Sequence, residues 1–417
     1  MERLDRTTVL LALLGVALLG WLGLTDFAFT DYDVEARPAF EHLLSGDLHD
    51  FLLGSPAYAG ALLLRSPLAL AAGAAGGGEL AVFRAVALPG LLALALLAAI
   101  LTARARAAGA SAPAAWLALA LCVLNPIALR ALELGHAEEL LAGAFAVAAM
   151  LAAQDRRPGW AGLLAGLAVA TKPWALVAVP AVIAVLPEGR RRAGAIALAV
   201  PAAIFAPFVV AQWVGHVPNH PSSTGDIFKP WQVWWPLGST GTPVVNPGGG
   251  VGSAGTVLEG YRHSPSWLTG LVHPGIVALS VPLVLLWARR RRAADGLLLL
   301  AFLLFLRCLL DPWNNVYYVL PCVLALVAFD ATRGRAPLAA AVVTGATWLT
   351  VVELSSMVSP DAQSAAYLAW AVPFAGALAL RLYAPRRWAR ARAAVRAAVA
   401  PEALPVTRRS SAPSGTS

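Results

Sequence analysis

Thr30-Asp31-Tyr32-Asp33-Val34-Glu35 sets three carboxylates within five residues, directly after an apolar run that ends near Leu24. A carboxylate so placed can take a proton from a hydroxyl as a general base. Alternatively, the acids could open an interfacial helix capped by Thr30 and compensate its dipole. Asp31-Tyr32-Asp33 also fits a D-x-D metal-holding pattern. Three residues match readily by chance, and no metal is expected. Asp31 is a candidate base, with an N-cap or salt-bridge role as its alternative, and Asp33 and Glu35 are candidate partners for a bound hydroxyl compound.

A second group of polar residues interrupts apolar sequence. Lys172 and Lys229 are the only lysines. Lys172 stands in Thr171-Lys172-Pro173, between two short apolar segments. A cation there costs a few kcal/mol and usually marks a ligand or a pathway; snorkelling to the headgroups is the alternative. Arg307, close in sequence to Asp311, can pair with it or meet an anion. His136 with Glu138 and Glu139 can bind phosphate or sugar, or the acids can cap the next helix. Asn314, Tyr317 and Tyr318 in Asp311-Pro312-Trp313-Asn314-Asn315-Val316-Tyr317-Tyr318, and Trp234 and Trp235 in the run 228–236, can stack on or hydrogen-bond a sugar. Interfacial anchoring also accounts for such aromatics.

Stretches that must hold these groups are apolar almost throughout. The chain has 417 residues, 59% hydrophobic and 13% charged, with a mean hydropathy of +0.69. Soluble domains are about a quarter charged. These values exclude a soluble enzyme, a nucleic-acid binder and a disulfide scaffold. The net charge of +8 is carried by arginine clusters. Cys122, Cys308 and Cys322 lie in apolar runs and read as buried thiols.

About 20 residues cross the roughly 30 Å hydrocarbon layer. About twelve transmembrane or broken helices are predicted: 8–24, 82–101, 113–129, 139–153, 160–170, 174–186, 193–213, 267–288, 296–310, 316–330, 337–352 and 365–382. The fifth and sixth, flanking Lys172, are short enough to stop inside the membrane. Arg3/Arg6, Arg104/Arg106, Arg156/Arg157, Arg190–Arg192, Arg289–Arg292, Arg333/Arg335 and the tail place 22 of the 31 basic residues, but 7 of the 23 acids, on one side. The positive-inside rule makes that side cytoplasmic and puts both termini there. Residues 1–24 read as a signal anchor. All seven histidines and the densest acids fall on or near the outer side. The expected fold is therefore an all-α polytopic membrane protein. Its transmembrane domain covers 1–383, with two extracytoplasmic loops (25–81 and 214–266), and a basic tail covers 384–417. Within the tail, 386–400 is expected as a basic amphipathic helix and the final residues as disordered. Two patterns carry no function. Gly250-Val251-Gly252-Ser253-Ala254-Gly255 lacks a preceding strand, and Pro218 breaks the His216/His220 spacing.

Asp31 through Asp47 resembles the first outer loop of the GT-C superfamily of membrane glycosyltransferases, which use polyprenyl-phosphate sugars. Asp31 matches the family's Asp after the first span, Ala36 and Ala39 its small residues, and Gly46-Asp47 its turn. Tyr32 stands where a second acid often follows. Asn125-Pro126 with Leu134-Gly135-His136-Ala137-Glu138-Glu139 resembles the end of the third span in bacterial polyprenol-phosphate-mannose-dependent mannosyltransferases (glycosyltransferase family 87 and relatives). There a Gly-Gln is common, and His136 replaces the Gln. Residues 166–174 resemble their Lys-containing turn, and 311–318 a late loop of actinobacterial members.

The resemblance implies a GT-C-like bundle in the plasma membrane, with an extracytoplasmic active site. It implies an inverting transfer of a sugar, mannose first, from a polyprenyl-phosphate donor to a glycan or glycolipid acceptor. No cofactor and no nucleic-acid partner is expected. Such a donor needs a base for the acceptor hydroxyl, Asp31, and fixed cations for the departing phosphate, Lys172 with Arg307 and His136. A secondary transporter fits the same span count, and a lipid-linked glycan polymerase or ligase the same outward site.

Overall fold

The computed structural model of the chain describes residues 5–25, 30–215, 227–246, 256–289 and 293–399. Helix dominates because apolar runs in a bilayer must satisfy every backbone N–H and C=O within the segment. Asp5 caps α1 (Arg6–Gly23), accepting from the Thr8 N–H at 2.8 Å. The segment after α1 folds into three short helices, α2 (Asp31–Glu35), α3 (Arg37–Leu44) and α4 (Leu48–Gly54), then α5 (Ala59–Ala74). The bundle continues with α6 (Glu79–Ala107), α7 (Ala112–Val123), α8 (Pro126–Glu133), α9 (Ala137–Gln154) and α10 (Pro158–Thr171). A 3-10 turn over Pro173–Ala178 leads to α11 (Val179–Val185) and α12 (Arg190–Gly215). After the segment that follows α12 come α13 (Ser266–Ala288), α14 (Gly296–Leu310), α15 (Leu320–Ala331), α16 (Leu338–Thr347), α17 (Pro360–Tyr383) and the basic α18 (Pro385–Val399).

Among the described residues, eight helical segments are long and apolar enough to cross a membrane, and five apolar helices are shorter. The all-α polytopic expectation holds, and the segments flanking Lys172 are both short. Two local features differ from the sequence reading. Residues 113–129, read as one run, break between α7 and α8. There Asn125 caps α8 by accepting from the Ile127 N–H at 2.8 Å, and Pro126 offers no N–H to continue the ladder. The segment between α12 and α13 contains a small antiparallel pair, β1 (Val244–Asn246) with β2 (Thr256–Leu258), in the register Val244↔Leu258. Gly250–Gly255, His216, His220 and the final Ser/Pro/Gly residues lie outside the described residues.

Small residues set the helix spacing. A Cβ on Gly162 would stand 2.5 Å from the Ala193 carbonyl, and one on Gly166 would stand 2.8 Å from Val200 Cβ. This four-residue small pattern draws α10 onto α12, the packing mode expected where lipid removes the hydrophobic drive. Gly90 does the same for α6, since a Cβ there would stand 2.5 Å from the Ala137 carbonyl. The start of α9 is thereby held deep in the bundle, with its two glutamates inside.

Candidate active site

The site is built where α2, α5, the α8–α9 turn, the α10 end and the α14 end converge. Thr30 caps α2, accepting from the Tyr32 N–H, and Asp33 completes a capping box by accepting from the Thr30 N–H at 2.8 Å. The other Asp33 oxygen meets Arg37 at 3.2 Å. Arg37 also binds Glu41 at 2.7 Å and pairs with Glu79 at the start of α6, fixing the loop to the bundle. Both Asp33 oxygens are thus engaged, and its side chain is 4% exposed. Asp31, one position into the helix, keeps a side chain 33% exposed.

The α8–α9 turn brings His136 to Asp31. Gly135 has φ +84°, and a Cβ on it would stand 2.5 Å from Tyr32 Cβ. Only glycine allows this turn to lie so close on α2. His136 Nε2 then lies 3.0 Å from Asp31 Oδ2, and Nδ1 lies 2.8 Å from Glu138 Oε1. Burial alone would lower the His136 pKa. Its hydrogen bonds to Asp31 and Glu138 outweigh that and raise it to about 9, against an opposing push from Lys172.

Behind His136 lies a buried ionic cluster. Lys172 Nζ is 3.0 Å from Glu138 and 3.8 Å from Glu139, and it sits 3.9 Å over the Tyr58 ring. Arg65, buried in mid-α5, reaches Glu138 at 3.2 Å. The Tyr58 hydroxyl donates to Glu35, which is buried. The Trp174 indole N–H reaches both Glu139 oxygens, at 3.1 and 3.2 Å. Arg307 stacks 4.0 Å from the Tyr318 ring and 5.0 Å from Trp174. Tyr317 stacks on His136 at 4.5 Å. Four cations (Arg65, His136, Lys172, Arg307) thus face four carboxylates (Asp31, Glu35, Glu138, Glu139).

Arg307 makes no ion pair with Asp311 among the described residues. Asp311 instead faces His273 at 3.4 Å and accepts from the Trp313 N–H at 3.0 Å. The Arg307 guanidinium is held by rings and carries no carboxylate partner there. Lys229 is similar: it lies 5.9 Å from the Trp231 ring and forms no ion pair among the described residues. Burial pushes its ammonium below the ordinary lysine range, and the negative charge of Asp31 opposes that shift.

The segment between α12 and α13 docks on the loop after α14. Lys229 N–H donates to the Pro312 carbonyl at 3.0 Å and Val233 N–H to the Leu309 carbonyl at 3.0 Å. The Trp231 indole donates to the Asn314 carbonyl at 2.6 Å, and the Asn314 amide returns a bond to the Trp231 carbonyl at 3.0 Å. Trp234 donates to the Leu310 carbonyl at 2.6 Å. Trp235 is buried, stacked on Phe228, and donates to Asp361 at 2.7 Å. Asn314, Trp234 and Trp235 therefore hold the loop in place, and the Trp235 ring faces are covered by protein.

Asp31, Glu35, His136, Glu138, Lys172, Arg307, Tyr317 and Tyr318 come together as one cluster, with Asp33 beneath it as the cap. Sequence reading gives no role to Tyr58, Arg65 or Trp174, and reads Lys229 with the neighbouring tryptophans as a carbohydrate platform or an interfacial anchor. Arg65 carried a usable signal, a lone cation inside the apolar run 58–70, which a membrane segment rarely tolerates without a partner.

Residues 57–188 match the family model described as alpha-(1->6)-mannopyranosyltransferase, N-terminal domain, of the MptA_B family. That similarity supports a mannosyltransferase. The matched stretch carries Tyr58, Arg65, His136, Glu138, Glu139, Lys172 and Trp174, but stops short of Asp31 on one side and Arg307 on the other. No curated protein and no solved structure matches the chain.

Proposed function

We propose that the chain is an integral-membrane, inverting mannosyltransferase of GT-C type. It takes mannose from a polyprenyl-phosphate donor and passes it to a glycan or glycolipid hydroxyl on the face away from the arginine clusters. The observation that carries this reading is Asp31, a part-exposed carboxylate held by a buried imidazolium at the rim of an ionic cluster. The family description adds an α-(1→6) linkage, and so a primary hydroxyl as acceptor.

Asp31 takes the acceptor proton through its oxygen not bound to His136. The freed alkoxide attacks the anomeric carbon as the bond to phosphate breaks, and attack opposite the leaving group inverts the configuration. General-base assistance of this kind contributes about 10²–10⁴-fold. Arg307 and Lys229, the cations here without carboxylate partners, stabilise the departing phosphate. Lys172, which sequence reading made the chief phosphate ligand, already has Glu138 and Glu139 against it; its part is to keep those acids and His136 in place. Tyr317 is buried between His136 and Tyr318 and holds the imidazole in place, and Tyr318 holds the Arg307 guanidinium.

Proteoliposomes given polyprenyl-phosphate [¹⁴C]mannose should incorporate label into a mannan or glycolipid acceptor, whereas GDP-mannose should give none. Label that accumulates as free sugar inside the vesicles would instead establish a transporter, and transfer of intact preformed glycan a polymerase or ligase.

A further inference from the structure

The Asp31 cluster sits at the end of the bundle where α6 begins. The other end carries a groove that this chemistry does not use. α6 has 29 residues, about 43 Å at 1.5 Å per residue, so Arg104 near its C-terminus lies about a bilayer thickness from Glu79. Between α6, α9 and α10 at that end is a groove of about 1010 Å³. Leu97, Ile100, Phe145 and Leu164 form its apolar walls, and Arg104, Asp155, Arg157 and Trp160 line its polar part. A second hollow of about 430 Å³ shares Arg157 and Trp160 and adds Arg192.

Charge at this end is unbalanced. Asp155 pairs with Arg104 at 2.5 Å. Arg157 and Arg192 form no ion pair among the described residues, although both line the same hollow. The starts of α10 and α12 also meet here. A Cβ on Gly189, just before α12, would stand 2.7 Å from Pro158 Cγ, and Arg192 Nη2 lies 3.6 Å from where a Gly159 Cβ would be. Two positive helix ends and two guanidinium groups without an ion pair among the described residues therefore border the smaller hollow, which adjoins the apolar groove at Arg157 and Trp160. Trp160, 59% exposed, is a residue type that settles at the headgroup level.

We propose that this groove binds a phospholipid with an anionic headgroup from the arginine-side leaflet. Its acyl chain lies between α6, α9 and α10, and its phosphate sits between Arg157 and Arg192. A cation pair and a long apolar wall select this chemistry. A zwitterionic lipid gains the wall but little from the charges, and free phosphate gains the charges without the wall. The site lies at the opposite end from Asp31 and does not depend on the transferase reading.

Native mass spectrometry of the full chain, delipidated and titrated with phosphatidylglycerol or phosphatidylcholine, tests it. The wild type should retain phosphatidylglycerol with a preference of about tenfold or more, the scale expected for two basic groups at a headgroup. Arg157→Gln with Arg192→Gln should erase the preference, and the double lysine exchange should keep most of it. Ala148→Trp, which fills the groove, should reduce retention of both lipids. Equal retention of the two lipids by the wild type, or an undiminished preference in the glutamine pair, would overturn the proposal. So would displacement of the lipid by inorganic phosphate at equal concentration.

Discussion

His136 Nε2 stands 3.0 Å from Asp31 Oδ2, across 105 residues of sequence, while the other ring nitrogen faces Glu138 at 2.8 Å. Both carboxylates can be given a hydrogen only by the imidazolium, in which both nitrogens donate. The folded protein therefore holds His136 as a cation, with its pKa raised to about 9 from an ordinary 6.5. Asp31 is oriented by a charge that is itself fixed from below by Glu138.

This coupling gives a pH signature. A histidine whose pKa is higher folded than unfolded contributes stability fully below about pH 6.5 and loses it as pH rises through about 9. In detergent, the difference in thermal midpoint between the wild type and His136→Gln should be largest at pH 6 and shrink steadily towards pH 10. A difference that does not vary with pH would show that His136 is not charged in the folded protein.

Gly135 controls whether that contact forms. Gly135→Ala places a Cβ against Tyr32 and forces a left-handed φ on alanine. The variant should lose roughly 1–3 kcal/mol of stability and a larger share of turnover than of donor binding. Wild-type turnover in Gly135→Ala would mean that the α8–α9 turn need not lie on α2.

The cations should divide into two classes. Arg307→Gln and Lys229→Gln should each weaken donor use about tenfold or more in KM while leaving the folded protein intact. Lys172→Ala should instead cost roughly 3–5 kcal/mol of stability, the scale for stranding a buried partner charge. A Lys172→Ala protein as stable as the wild type, with a raised donor KM alone, would return the phosphate to Lys172.

Much of this arrangement was legible before any coordinates. Hydrophobic run lengths predict the spans, because a bilayer leaves helix as the one open solution for a long apolar segment. Asp31 stands out in the acid-rich run after the first apolar segment, and Lys172 as a cation between two apolar segments, where burial is costly. Their partnerships were not legible, because contacts such as Asp31 with His136 or Arg65 with Glu138 join helices far apart in sequence. The break at Asn125-Pro126 was missed because a local cap interrupted an otherwise uniform apolar run. The roles of Trp234 and Trp235 also needed tertiary structure. A tryptophan run on a connecting segment reads the same whether its rings meet a sugar or, as Trp235 does, pack against Phe228.

The proposed transfer rests on Asp31 as the general base, with Asp33 as its structural neighbour. Asp31→Asn retains the shape of the side chain and removes the proton acceptor, so the loss of the base shows in the rate, while the loss of the ion pair with His136 shows in stability. Single-turnover transfer of mannose from polyprenyl-phosphate mannose should slow by about 10²-fold or more in Asp31→Asn at unchanged donor affinity. Asp33→Asn should lose about 1 kcal/mol of stability from the cap and little rate. A near-normal single-turnover rate in Asp31→Asn would contradict the account, and the more so if Asp33→Asn were inactive.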